Sequence, residues 1–236
     1  MRAILLIAGN FVREQRWPIL VLLLWVLLLA FLGLLPDVAR SREDLLFIFK
    51  QVAVYVVAFS VFFGGSAIYN ERKTRRILAV LAKAVARHEY LSGLVLGVTL
   101  ACAILFFALG LTGSWVLGQV GFPVSTVWFL MVSLVAACTL AGTVALMFST
   151  FLNPFFSAGA TAVVLGAQLA IGYFSKGRYD SLAPFYALIR SVTESSYQTP
   201  GRWMWSGILV ALVQTGLFWL LAARIFTRVD IAVAVD

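Results

Sequence analysis

Residues 126–150 read TVWFLMVSLVAACTLAGTVALMFST, a run without a single Asp, Glu, Lys, Arg or His. A helix rises about 1.5 Å per residue, so this run reaches roughly 37 Å, more than the ~30 Å hydrocarbon core of a bilayer. Working outward, comparable apolar runs occupy residues 17–35, 46–69, 90–117, 155–174 and 203–226. The breaks between them are short and carry turn chemistry. Pro36 and Asp37 end the first run, Gly121 and Pro123 lie between the third and fourth, and Asn153 and Pro154 follow the fourth. Trp203, Trp205 and Trp219 flank the last run as aromatic anchors.

The composition agrees. Of 236 residues 62% are hydrophobic and 12% charged, with a mean hydropathy of +1.00, whereas soluble domains carry roughly 25% charged residues. The sequence therefore predicts an all-α polytopic membrane protein, a single domain over residues 1–236 with six transmembrane helices. Residues 1–16 place Ile4, Ile7, Ala8, Phe11 and Val12 at helical spacing between Arg2, Arg13 and Arg16, which predicts an N-terminal interfacial helix. Charge in residues 11–17 (FVREQRW) follows the first apolar stretch and no small-residue cleavage site comes after it, so the first span is expected to be retained.

Six spans put both termini on one side. With the termini inside, eleven basic residues face the cytoplasm: Arg2, Arg13 and Arg16, then Arg72, Lys73, Arg75, Arg76, Lys83 and Arg87, then Arg224 and Arg228. Seven face outward: Arg40, Arg42, Lys50, Lys176, Arg178, Arg190 and Arg202. The excess of Lys and Arg favours cytoplasmic termini. The net charge of +8 thus records topology, and no basic tract interleaved with aromatics suggests nucleic acid.

Most catalytic readings lack their residues. There is no GxxxxGK[ST] phosphate loop, so the chain has no ATP nest of the usual kind. The one histidine, His88, excludes multi-histidine metal or haem sites supplied by a single chain. Ser66, near the cytoplasmic end of its span, has no base that the sequence pairs with it, which argues against an intramembrane serine protease. Cys102 and Cys138 lie inside apolar runs and read as packing residues. The span interiors are almost free of ionisable groups, against a proton or sodium pathway. Gln168 and Gln214 are neutral amides expected to bond neighbouring helices.

Small residues recur at packing distance within the spans: Gly93 with Gly97, Gly64-Gly65-Ser66, Ala137 with Ala141 and Gly142, and Gly159 with Ala160. Such positions let backbones approach, and packing within one bundle is the simpler use, a dimer face the other.

Two segments carry more. Residues 70–93 read NERKTRRILAVLAKAVARHEYLSG. On a helical wheel Arg72, Arg76, Lys83 and Arg87 fall within about 60°, opposite Ile77, Leu78, Leu81 and Val85. An amphipathic cytoplasmic helix follows. It could serve as a topology signal resting on anionic headgroups, where each basic residue contributes about 1 kcal/mol, or as a contact for a partner. The second segment, residues 175–202, sets Leu182, Phe185, Ile189 and Val192 on one helical face, with Arg190 and Glu194 four apart on the other. It is too short to span and too apolar for a free loop.

The first segment resembles the type-two ABC permease family, the export-type membrane subunits of ABC transporters. There the stretch commonly reads Glu, a few residues, Gly-Thr, leucines, Pro, Arg and a Gly-Lys pair opening the third span. Glu71, Thr74, Leu78, Leu81, Arg87 and Gly93 match, while Lys73, Ala84 and Leu94 stand where the family often has Gly, Pro and Lys. The N-terminal helix with its Arg13-Glu14 cluster, the six spans and the long segment before the last one agree. The resemblance implies a non-catalytic permease subunit of an ATP-driven exporter in a bacterial cytoplasmic membrane, working as a dimer with a second or related permease. An ABC ATPase subunit, holding the ATP and Mg, would contact Glu71, Arg72, Arg75, Arg76, Leu78, Leu81 and Arg87 together with Arg13, Glu14 and Arg16. Phe185, Ile189, Arg190 and Glu194 would belong to re-entrant helices at the outer exit, the alternative being an amphipathic helix on the outer leaflet. An autonomous channel or carrier, or a membrane scaffold, is the competing reading of the whole chain.

Overall fold

All the regular structure among the described residues is helical. The computed structural model describes residues 2–33, 42–73, 86–119, 121–175, 182–193 and 205–228. Its helices are α1 (Arg2–Glu14), α2 (Arg16–Gly33), α3 (Arg42–Lys73), α4 (Arg87–Gly118), α5 (Val124–Ser149), α6 (Pro154–Phe174), α7 (Pro184–Thr193) and α8 (Trp205–Arg228). Five of them, α3 through its stretch Leu46–Asn70, α4, α5, α6 and α8, are long and apolar enough to cross a membrane, which suggests a membrane location. The expected first span corresponds to α2, whose apolar run Arg16–Leu29 is shorter. Residues 34 and 35, expected to complete it, lie outside the described residues.

At the centre stands α5, 89% of whose apolar window is buried, against 22% for α8. Its sequence explains the position. Ala137, Cys138, Ala141, Gly142 and Ala145 are all fully buried and carry side chains too small to hold neighbours away. A β-carbon built on Gly64 of α3 would fall onto the Gly142 carbonyl, and one on Gly142 would lie 2.6 Å from Val98 Cγ1 of α4. At this level α3 and α5 therefore meet backbone to backbone, and the Val98 side chain of α4 packs onto the same glycine. Apolar burial gives little drive between helices already in lipid, so close packing and interhelical hydrogen bonds must hold such a bundle. Among them, Thr139 Oγ1 donates to Thr99 Oγ1 at 3.2 Å, joining α5 to α4, and Ser157 Oγ donates to the Ala145 carbonyl at 2.7 Å, joining α6 to α5. The thiols of Cys102 and Cys138 are free and buried in the same core.

The connections follow their turn residues. Gly121 takes φ +74°, which glycine adopts without a β-carbon penalty, and the Phe122 N–H returns to the Leu117 carbonyl at 3.1 Å. Asn153 caps α6 by accepting from the Phe156 N–H, and Pro154 fills the first helical position, where no N–H is missed.

The N-terminal helix packs along α4. Ile4 and Ile7 meet Gly93, and Phe11 meets Gly97, so α1 runs alongside α4 in the same direction. Helical bonding then continues into α2, with the Gln15 N–H on the Phe11 carbonyl and the Ile19 N–H on the Gln15 carbonyl, both at 3.0 Å. Pro18 lacks the N–H that would bond the Glu14 carbonyl, which accounts for the break at Gln15. The glycine pair Gly93 and Gly97 is thereby used within the bundle. Gly159 and Gly166 of α6, by contrast, have open space where a β-carbon would go.

The Gly64 contact can be tested. Gly64→Ala should lower stability by about 1–3 kcal/mol, the usual cost of overpacking, because the obstructing atoms are backbone. Gly166→Ala should leave it unchanged or slightly raised. Unfolding of the purified protein in mixed micelles measures both, and equal midpoints would remove the crossing from its central place.

Candidate functional site

Functional residues expected from the sequence fall at the two ends of the bundle. At one end α3 closes, residues 74–85 intervene, and α4 opens at Arg87. Both helices have 32 residues, or roughly 48 Å at the helical rise, well over the ~30 Å of a hydrocarbon core. Glu71 and Arg72 belong to the last turn of α3. Arg75, Arg76, Leu78 and Leu81, expected on the amphipathic helix, lie outside the described residues.

Arg87 has a definite place. Its Nη1 donates to the Phe226 carbonyl at 2.8 Å and to the Thr227 carbonyl at 3.2 Å. These carbonyls lie at the C-terminal end of α8, where the helix dipole is negative. The guanidinium also stands 5.8 Å from the Phe226 ring centroid, and Tyr90 stacks on that ring at 6.2 Å with an 18° interplanar angle. Tyr90 and Phe226 are fully buried. Sequence patterning placed Arg87 on the basic face of the segment; the fold turns its head group toward the last helix.

The N-terminal candidates do not join the Arg87 cluster. Arg13, Glu14 and Arg16 are exposed. Asn10 Nδ2 donates to Glu14 Oε1 at 3.3 Å, and the Arg16 guanidinium lies 5.8 Å from the Trp17 ring.

The opposite end is organised by α7. Its Phe185, Leu188 and Val192 are buried and Ile189 is half-buried, with α5, α6 and α8 around them. Leu182, expected on the same apolar face, is 65% exposed instead, because it precedes the helix and turns away from the bundle. The Arg190 guanidinium lies 6.0 Å from the Tyr186 ring. Glu194, its expected partner, lies outside the described residues.

Two amides seat this helix, Gln168 buried and Gln214 half-buried. Pro184 occupies its first position, leaving the Phe185 N–H as an orphan donor of the first turn. That N–H donates to Gln168 Oε1 of α6 at 3.2 Å. Gln168 Nε2 donates to Gln214 Oε1 of α8 at 3.1 Å, and Gln214 Nε2 donates to the Leu182 carbonyl at 3.3 Å. Gln168 stands six residues before the end of α6 and Gln214 nine after the start of α8, so the seat is sunk about 9–13 Å from those ends. Tyr186 packs on Gly172, and Ala187 and Leu188 face Gly207. With Gln168 at Phe185 and Gly172 at Tyr186, α7 rises alongside α6 and against the direction of α8.

The two glutamines do bond neighbouring helices, as their type suggested. That they also meet each other and grip one peptide segment was not legible. The available signal was the coincidence of two amides in adjacent apolar spans with a proline-initiated amphipathic helix between them. No His/Cys/Asp/Glu cluster able to hold a metal occurs among the described residues. An apolar groove of about 350 Å³ opens between α2 and α3, lined by Val21, Leu22, Leu24, Trp25, Leu28, Tyr55 and Phe59.

No protein-family model matches the chain, and no curated protein matches it either.

Gln168→Leu should destabilise the protein by about 1–3 kcal/mol, since it strands the Phe185 N–H and a Gln214 acceptor. Gln168→Leu and Gln214→Leu together should cost less than their sum, because they dismantle one network. Thermal unfolding of the single and double variants in detergent checks this. Strict additivity would mean the amides act separately.

Proposed function

We propose that this chain is the membrane subunit of an ATP-driven exporter of the type-two ABC permease kind, six-spanning with both termini cytoplasmic. Residues 71–87 would be the contact through which a separate ATPase subunit moves it. The observation that carries this reading is the basic amphipathic segment after α3, with Glu71, Thr74, Leu78, Leu81, Arg87 and Gly93 at the family's positions. In this reading α2 is the first span, and ATP and Mg belong to the partner.

Three structural features support it. The helices flanking the segment, α3 and α4, are longer than a bilayer core requires and could carry displacement at their ends into the bundle. Helix α7 and its sunken seat have the form of a re-entrant helix, as the family resemblance implies for the outer exit. Finally, Gly159 and Gly166 lie on an α6 face left open while other packing glycines are occupied, a face suited to a second permease copy, with the pathway between the two. The scarcity of ionisable groups in the spans leaves energy input to a partner.

Expressed with its chromosomal neighbours and purified in mild detergent, the chain should bring down a nucleotide-binding protein with ATPase activity. Arg72→Glu combined with Arg76→Glu should lose that protein, or separate hydrolysis from transport, while the spans still insert. Recovery of no nucleotide-binding protein would favour a channel, carrier or scaffold. Unchanged assembly and transport in the charge-reversed chain would return the arginines to topology alone.

A further inference from the structure

Arg87 opens the helix that follows the basic segment, and its guanidinium is bonded to the last carbonyls of α8. Phe226 is held twice, by Arg87 at 5.8 Å from its ring and by Tyr90 stacked upon it. The first turn of α4 and the end of α8 thus form one joint, whose aromatic pair Tyr90 and Phe226 is buried. Twelve residues back along α8, about 18 Å at the helical rise, Gln214 holds the Leu182 carbonyl at the seat of α7. One continuous helix therefore links the end nearest the basic segment to the element that closes the opposite side.

We propose that Arg87 is a positioning residue that fastens α8 to α4, so that displacement at the start of α4 reaches the seat of α7 through α8. Its bonds run to backbone carbonyls, which every side chain at positions 226 and 227 would present. The hydrogen-bonded part of the linkage therefore depends on the guanidinium, while the ring contacts depend on Phe226. The linkage's use in transport rests on the exporter reading above, but the linkage does not.

The test places spin labels at Leu182, beside the α7 seat, and at Phe31 of α2, both exposed, in the chain reconstituted alone in liposomes. Arg87→Ala should broaden or shift the distance distribution between them, although the substitution lies at the other end of the bundle. Arg87→Lys, which keeps a cationic donor, should restore most of it. A second pair at Leu111 and Val132, on α4 and α5, should not change and reports that the fold is intact. If Arg87→Ala does not insert, Arg87→Gln, with a single amide donor, is judged by the same criterion. Coincidence of the variant and wild-type distributions at Leu182 overturns the proposal. With the ATPase partner added, nucleotide should move the Leu182 label in the wild type, and Arg87→Ala should lose that response while hydrolysis continues. A wild type without any nucleotide response counts against the exporter reading, and the partner-free comparison still decides Arg87.

Discussion

The close approach of α3, α4 and α5 at Gly64, Val98 and Gly142 is the contact on which the rest of the bundle depends. Two glycines allow backbones to meet, and the small side chains along α5 extend that closeness over several turns. A helix that is apolar all round gains little by leaving lipid for protein, so such contacts, with bonds such as Ser157 to Ala145, must supply much of the cohesion. Once α5 is surrounded, the remaining helices have few places to go. Helices α6 and α8 take its flanks with most of their own surfaces outward, and α1 and α2 line the outside of α4.

This arrangement leaves polar backbone groups in two exceptional places, and each receives a long polar side chain. The last carbonyls of α8 receive Arg87, and the start of α7 receives Gln168 and Gln214. Where such a group is buried, as at the Phe185 N–H, leaving it unpartnered is costly. These contacts are also the points at which helices distant in sequence are tied together, which makes them natural points for movement to pass.

Much of the fold was legible from residues alone, because charge-free runs such as 126–150 admit few structures and turn residues such as Gly121 and Asn153 mark their ends. The long helices came within a few residues of expectation; the larger difference, at the ends of α3, has a physical cause. Charged residues at 42–44 and 71–73 continue α3 beyond its apolar run, since helical bonding does not stop where hydrophobicity does. Helix α1 was readable as amphipathic, but the surface that takes its apolar face, the groove over Gly93 and Gly97, depends on tertiary structure. The same holds for Arg87, whose wheel position identifies a basic face without saying that one member turns to a helix 139 residues away. Pairing between Gln168 and Gln214 could not be read, because a period of 3.6 residues orders side chains around one helix and says nothing of their partners on another.

The central claim is that the basic segment and both ends of the chain share the cytoplasmic side, where a partner could reach them. Single cysteines introduced in turn at Arg2, Lys83 and Arg228, with Cys102 and Cys138 replaced, can be challenged in intact cells with a membrane-impermeant thiol reagent. All three should stay unlabelled until the membrane is permeabilised. Labelling of the Lys83 position from outside would contradict the account, and labelling of Arg2 alone would leave five spans in place of six.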